Sequence, residues 1–293
     1  MIPSDLLKKI RRIQIRTRSM VSDAFAGHYH SAFKGQGMEF EEVREYVPGD
    51  DIRSIDWNVT ARMGHPFIKK YREERELTVM LAVDISGSQQ FGSIRMLKRD
   101  LAAEIAAVLA FSAIQNNDRV GLLLFTDHPE HAIPPRKGSG HVLRVIRDVL
   151  YKQPEGCGTD IGQALHYLNR IHHRRTITFL ISDFLDTGYE PILRAYAKRH
   201  DLVAIQVTDP REHALEAVGV IAVQDPETGA RMEIDTSDRA TRDAYRQRQQ
   251  QQREQTATFL KASGIDHLSV TTDPDSDYIH ELIRLFRRRE ARR

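Results

Sequence analysis

The apolar positions change rhythm twice along the chain. Between residues 77 and 207, short continuous apolar runs alternate with longer segments in which apolar residues recur every three or four positions. The runs at 77–83, 120–125, 176–182 and 202–207 are what strands buried on both faces look like. The periodic segments predict helices: Leu97, Leu101, Ile105, Val108 and Leu109 form one stripe, and further helices are expected over 141–150, 161–171 and 191–198. Strands alternating with helices imply an α/β fold, a mostly parallel sheet with helices on both faces.

On either side the rhythm breaks. Leu6, Leu7, Ile10 and Ile13, interleaved with Lys8, Lys9, Arg11 and Arg12, predict a short basic amphipathic helix. It reads as packed on the domain with a solvated basic side rather than as a membrane contact. Residues 31–76 hold glycines, prolines and many charges with little apolar content, so 1–76 is expected to be a segment packed on a main domain at 77–293. Within that domain, residues 210–263 read as an insertion. Two short strands (218–223 and 231–234) are closed by the turn Asp225-Pro-Glu-Thr-Gly229, and Thr236-Ser237-Asp238 caps a long polar helix with a thin stripe of Tyr245, Phe259 and Leu260. A strand at 267–270 and a last helix carrying Ile279, Leu282, Ile283 and Phe286 complete the pattern, ending in an arginine-rich tail expected to be solvated.

Bulk properties narrow the function classes. With 40% hydrophobic and 29% charged residues over 293 positions, the chain has enough apolar material for a sizeable core. A net charge of +2, spread along the chain without aromatic interleaving, does not point to a nucleic-acid binder. The lone Cys157 excludes an internal disulfide framework and reads as a small filler residue; a reducing, cytoplasmic setting is expected. No apolar run reaches the roughly 20 residues that a bilayer crossing takes.

Chemistry concentrates where strands end. The run at 77–83 leads directly into Asp84-Ile-Ser-Gly-Ser88, which delivers a carboxylate and two hydroxyls to the edge of a parallel sheet where ligands bind. Because the three polar residues alternate, one turn can aim them at a common centre. Oxygen donors without His or Cys suit a hard ion, Mg²⁺ or Mn²⁺. Two signals stand at matching places: a glycine-rich loop, Gly156-Cys-Gly-Thr159, opening a helix, and Asp183 just past the run at 176–182. Taken singly, each could be a helix cap or turn residue.

Together, DISGS, GTDIGQAL and LISD resemble the metal-ion-dependent adhesion site of von Willebrand factor A domains. That resemblance implies a von Willebrand factor A-like fold in which Ser86, Ser88 and Thr159 offer hydroxyls to one ion while Asp84 and Asp183 complete or orient the shell. Neutral hydroxyls leave the ion's charge poorly neutralised, so its open position favours an acidic residue of a protein partner. Gln89 stands where that family often has Met.

A second resemblance covers nearly the whole chain. Gly35-Gln-Gly-Met-Glu-Phe-Glu41, Arg44-Glu-Tyr-Val-Pro-Gly-Asp50-Asp51-Ile-Arg53, Ile55-Asp56-Trp57 and Tyr71-Arg-Glu-Glu-Arg75 look like the signature of domain of unknown function 58, and Asp225–Gly229 also fits. That family implies a MoxR-type AAA+ ATPase as partner and a role in protein assembly or maturation. Asp50, Asp51, Arg53 and Asp56 are too many charges to bury unpaired. They read as a partner-binding surface or, better, as a local ion-pair network with Trp57 as its apolar anchor.

The expected activity is therefore metal-dependent protein binding without catalysis. The rival is an Mg²⁺-dependent hydrolase or phosphatase using the same site. Against it, the position two residues after Asp84, where such enzymes place an acid/base Asp, is Ser86. No G-x-x-x-x-G-K-[ST] loop is present, so ATP energy would have to come from a partner.

Overall fold

A computed structural model describes residues 23–33, 39–72, 76–93, 96–273 and 275–292; the basic N-terminal pattern, Gly35–Met38 and Glu73–Arg75 lie outside them. The chain forms two compact units, residues 34–77 and the remainder. The boundary differs from the sequence reading, because helix α1 (Asp23–Phe33) belongs to the larger unit. Its Phe25, Tyr29 and Phe33 repeat every four residues and are all buried.

In the smaller unit, β1 (Glu39–Glu45) pairs antiparallel with β2 (Phe67–Arg72), and α2 (Trp57–Met63) lies between them in sequence. The charges act separately here, not as one network. Asp50 takes both guanidinium nitrogens of Arg44 at 2.8 Å, which holds its pKa below the usual carboxylate range. Asp51 caps a 3-10 turn through the Arg53 amide, 2.9 Å away. Asp56 caps α2, accepting from the amides of Asn58 and Val59, and faces Lys69 at 3.3 Å. Trp57 anchors nothing: it opens α2 and is 67% exposed. None of the residues of α2 is buried, so this helix carries its tryptophan outside any core.

The larger unit is built on a six-stranded sheet. Its strands are β3 (Thr78–Asp84), β4 (Arg119–Phe125), β5 (Pro129–Arg136), β6 (Ile177–Ser182), β7 (Asp201–Thr208) and β10 (Asp266–Thr271), in the order β10-β7-β6-β3-β4-β5. All neighbours are parallel except the edge strand β5. The first strand, β3, is thus central, and the strand order reverses beside it, the place where open α/β sheets bind ligands.

Alternation sorts the two faces. Met80, Ala82, Leu123, Phe125, Leu180 and Ala204 pack with α5 (Ile161–Ile171) and α6 (Glu190–Arg199). On the other face Phe33 meets Phe179 at 5.6 Å and Phe286 at 5.5 Å, joining α1 and α9 (Tyr278–Ala291) to the sheet. Helix α3 (Lys98–Gln115) is buried on nearly every side and packs against α1 and α4 (Ser139–Tyr151); its many alanines let it approach the sheet closely. Each buried Val, Leu, Ile or Phe here contributes roughly 1.5–3 kcal/mol.

Between β7 and β10 come a single turn, α7 (Pro210–His213), a hairpin of β8 (Val220–Gln224) and β9 (Arg231–Asp235), and the long helix α8 (Arg239–Ala262) capped by Asp238. The C-terminal arginines are not all solvated. Arg289 is 8% exposed, bonds Asp201 and Asp266, and stacks over Phe33 at 4.5 Å, because a guanidinium with two carboxylates and an aromatic face can be buried at low cost. Among the described residues, no helix is long and apolar enough to cross a membrane.

Candidate metal centre

The carboxyl ends of β3 and β6 bring Asp84, Ser86, Ser88 and Asp183 into one buried cluster; none is more than 5% exposed. Asp84 closes β3 and is pinned at both oxygens, by the Ser86 amide at 2.9 Å and by the Ser182 hydroxyl at 2.7 Å. The Ser86 and Ser88 hydroxyls lie 3.1 Å apart, and Ser88 donates to Asp183 at 2.6 Å. Immediately after Asp183 the chain turns through a left-handed residue, Phe184 at φ 58°, whose buried ring holds the strained backbone in place.

Thr159 is not joined to that cluster. Its hydroxyl donates instead to Glu227 Oε1 at 2.8 Å, on the turn between β8 and β9. The loops are nonetheless tied together, since the Gly87 amide donates to the Cys157 carbonyl at 2.9 Å. A side chain at Gly87 would collide with the Pro226 carbonyl, so the β8–β9 turn lies directly on the Asp84–Ser88 loop. Asp160 is a cap, accepting from the Gln163 amide at the start of α5.

Three participants carry no local signal in the sequence. Lys98, fully buried at the start of α3, places its ammonium 2.8 Å from Asp183 Oδ2 and 2.5 Å from Glu212 Oε1. Burial works against its charge, but Asp183 and Glu212 outweigh it and hold its pKa above that of a free lysine. Glu212 in turn accepts from the Asp209 amide at 2.9 Å in a capping box, and Asp209, wholly buried, takes the hydroxyls of Ser93 and Thr272 at 2.5 Å each. A cavity of about 160 Å³ adjoins this network, lined in part by Asp183, Gln206, Glu212, Tyr245 and Arg253.

The electrostatics favour a cation. Burial first, then the neighbouring Asp183, push the Asp84 carboxyl up to about 7, although Ser182 and Ser86 pull the other way. Burial, joined by Asp183, also raises the Glu227 carboxyl, against the pull of its Thr159 bond. Lys98 pairs with Asp183 and Glu212, while Asp84 and Glu227 are held by hydroxyls and, for Asp84, a backbone amide. The donor set fits a hard divalent ion: a serine hydroxyl that donates one hydrogen bond still has lone pairs to give. Among the described residues no group of three or more His, Cys, Asp or Glu side chains is arranged to hold a metal. Any ion here would depend on hydroxyls as much as on carboxylates.

The profile of the family described as "Protein of unknown function DUF58" matches residues 42–255. An uncharacterized protein of Mycobacterium tuberculosis is 34% identical over 291 residues, spanning 98% of this chain and 91% of its own. Similar solved structures include an aerotolerance-related membrane protein from Bacteroides fragilis, with 16% identity, a TM-score of 0.49, and coverage of 74% of this chain and 100% of its own. The SpRpn10 VWA domain is similar at 12% identity and a TM-score of 0.39, covering 73% of this chain and 95% of its own.

Proposed function

The chain belongs to the DUF58 family of proteins of unknown function, and on that footing we propose that its larger unit is a metal-dependent protein-binding module that does not itself catalyse. The observation that carries this reading is the convergence of Asp84, Ser86, Ser88 and Asp183 at the carboxyl ends of the two central strands. Mg²⁺ or Mn²⁺ bound there by hydroxyls and few carboxylates would retain charge for an acidic side chain of a partner. Thr159 would join the shell once its hydroxyl turned from Glu227.

The partner class is a MoxR-type AAA+ ATPase, with this chain as adaptor or substrate recruiter in protein assembly or maturation. The sequence resemblance supports that pairing, as does the lack of any phosphate-binding G-x-x-x-x-G-K-[ST] loop in this chain. The docking role is preferred over hydrolysis because the serines of the cluster bond each other and carboxylates, and among the described residues no histidine is hydrogen-bonded to them.

Two measurements test the proposal. Titration calorimetry with Mn²⁺ on the purified chain should show one site, lost in Asp84→Ala and in the paired Ser86→Ala, Ser88→Ala variant, with circular dichroism confirming that the folds are retained. Co-purification with the ATPase should require Mg²⁺ and disappear in EDTA. Equal recovery in both buffers refutes docking through the ion, and phosphatase turnover that vanishes in Asp84→Ala would establish the hydrolase instead.

A further inference from the structure

The β8–β9 hairpin contributes a residue that neither the strand-end pattern nor the family assigns to the site. We propose that Glu227 is a ligand in cis: it holds the coordination position that a partner's carboxylate would take, so that docking requires the hairpin tip to yield. This rests on the metal reading above and deepens it.

Four observations meet at this turn. Thr159, the one expected ligand outside the cluster, spends its hydroxyl on Glu227 Oε1 at 2.8 Å. The turn is seated on the metal loop itself, since its Pro226 carbonyl fills the space where Gly87 would otherwise carry a side chain, and the Gly87 amide is bonded to the loop that bears Thr159. The other carboxylate oxygen, Oε2, lies toward Gly158 of the same loop. Glu227 is half-buried, yet among the described residues no lysine, arginine or histidine is recorded in contact with it. A carboxylate drawn into a region already rich in carboxylates, without a cation of its own, is unfavourable unless an ion is shared.

The tip is also held in shape. Asp225 accepts from the Glu227 amide at 2.9 Å and from the Thr228 hydroxyl at 2.8 Å, while Gly229 turns the chain at φ 71°. The hairpin therefore presents Glu227 as a pre-formed unit. Its strands leave Val220 and Met232 65% and 61% exposed, so little apolar packing of those side chains resists displacement of the tip.

The test uses the full chain and Mn²⁺ alone, with affinity read by electron paramagnetic resonance and bound water read by proton relaxation enhancement. Glu227→Gln, close in shape to the native side chain, should bind Mn²⁺ several-fold more weakly and carry one more exchangeable water on the ion. Added acetate should remove that water in the variant and leave the wild type unchanged. Equal affinity and equal hydration in wild type and Glu227→Gln, with binding still abolished by Asp84→Ala, overturns the proposal and leaves the metal site standing. Mn²⁺ binding that is absent, or unaffected by Asp84→Ala, overturns both. Thermal melts of each variant confirm that the comparison is between folded proteins.

Discussion

Replacing Lys98 with methionine removes a charge while keeping most of the stem that fills the core beside α3. In the native chain the ammonium is fully buried, 2.8 Å from Asp183 and 2.5 Å from Glu212. At an effective dielectric of 20, an ion pair at such a distance attracts by about 6 kcal/mol before the cost of taking both charges out of water, which is several kcal/mol per ion. The net worth of the pairing is therefore small. Its one-sided loss is not, because Asp183, 2% exposed, would be left without its cation. Breaking a buried pair in this way costs about 3–5 kcal/mol, which for a unit of this size lowers the melting midpoint by roughly 10 °C.

Circular dichroism melts and urea titrations in EDTA measure this without interference from metal. Lys98→Met combined with Glu212→Gln strands one carboxylate fewer, so the double variant should lose less than the sum of the single losses, with a coupling of about 1 kcal/mol or more. A loss under about 1 kcal/mol for Lys98→Met alone, with an unchanged urea slope, would refute the reasoning. It would mean that water reaches the ammonium and that Asp183 never depended on it.

Two further outcomes follow from buried polar groups. His200 is 1% exposed, stacks on Tyr196 with centroids 4.4 Å apart, and is pushed down to about 4, mainly by burial, from its usual 6.5. The unfolded chain takes up this proton near pH 6.5 and the folded chain only near 4, so stability is complete above 6.5 and falls as pH drops toward 4, by up to about 3 kcal/mol. Urea titrations from pH 7 to 4.5 should show this slope in wild type and a shallower one in His200→Gln, the remainder coming from His172, His213 and His267, which burial also holds below the usual histidine value; parallel profiles would refute it. Gln89 is 1% exposed and neither atom of its amide has a hydrogen-bond partner, so Gln89→Met, which keeps the volume, should stabilise by about 1–3 kcal/mol. A lower melting midpoint in that variant would show that the amide is satisfied in solution.

The central strands were legible because burial on both faces demands unbroken apolar runs, and β3, β6 and β7 supply them. The edge strand β5 was not. Only Ile133 is fully buried in it, and three prolines, Pro129, Pro134 and Pro135, tolerable at a sheet edge, erase the strand pattern. Helix α1 went unseen because its aromatic repeat of four lies in the stretch read as a lead-in to the domain. Trp57 shows the opposite error, since size and hydrophobicity alone do not place a side chain inside.

The site divides along the same line. Asp84, Ser86, Ser88 and Asp183 could be read because each stands at or just past the end of a recognisable strand. Lys98, Glu212 and Glu227 could not: Lys98 meets Asp183 and Glu212 across 85 and 114 positions, and Thr159 meets Glu227 across 68. Nothing in a local pattern marks one lysine among many as buried, or one turn glutamate as turned inward.

The division of labour at the sheet edge has a physical logic. A shell of carboxylates alone would hold a divalent ion tightly and neutralise it, leaving no attraction for a further acid. Here Lys98 absorbs part of the charge of Asp183 from the protein side, and serine hydroxyls stand where carboxylates would otherwise be. Both features lower the negative charge that faces an ion while keeping every buried polar atom of Asp84 and Asp183 hydrogen-bonded. On the proposed reading an ion in that setting would keep its appetite for an anionic oxygen, and Glu227, already bonded to Thr159 on the adjoining loop, would be an oxygen that this chain supplies itself.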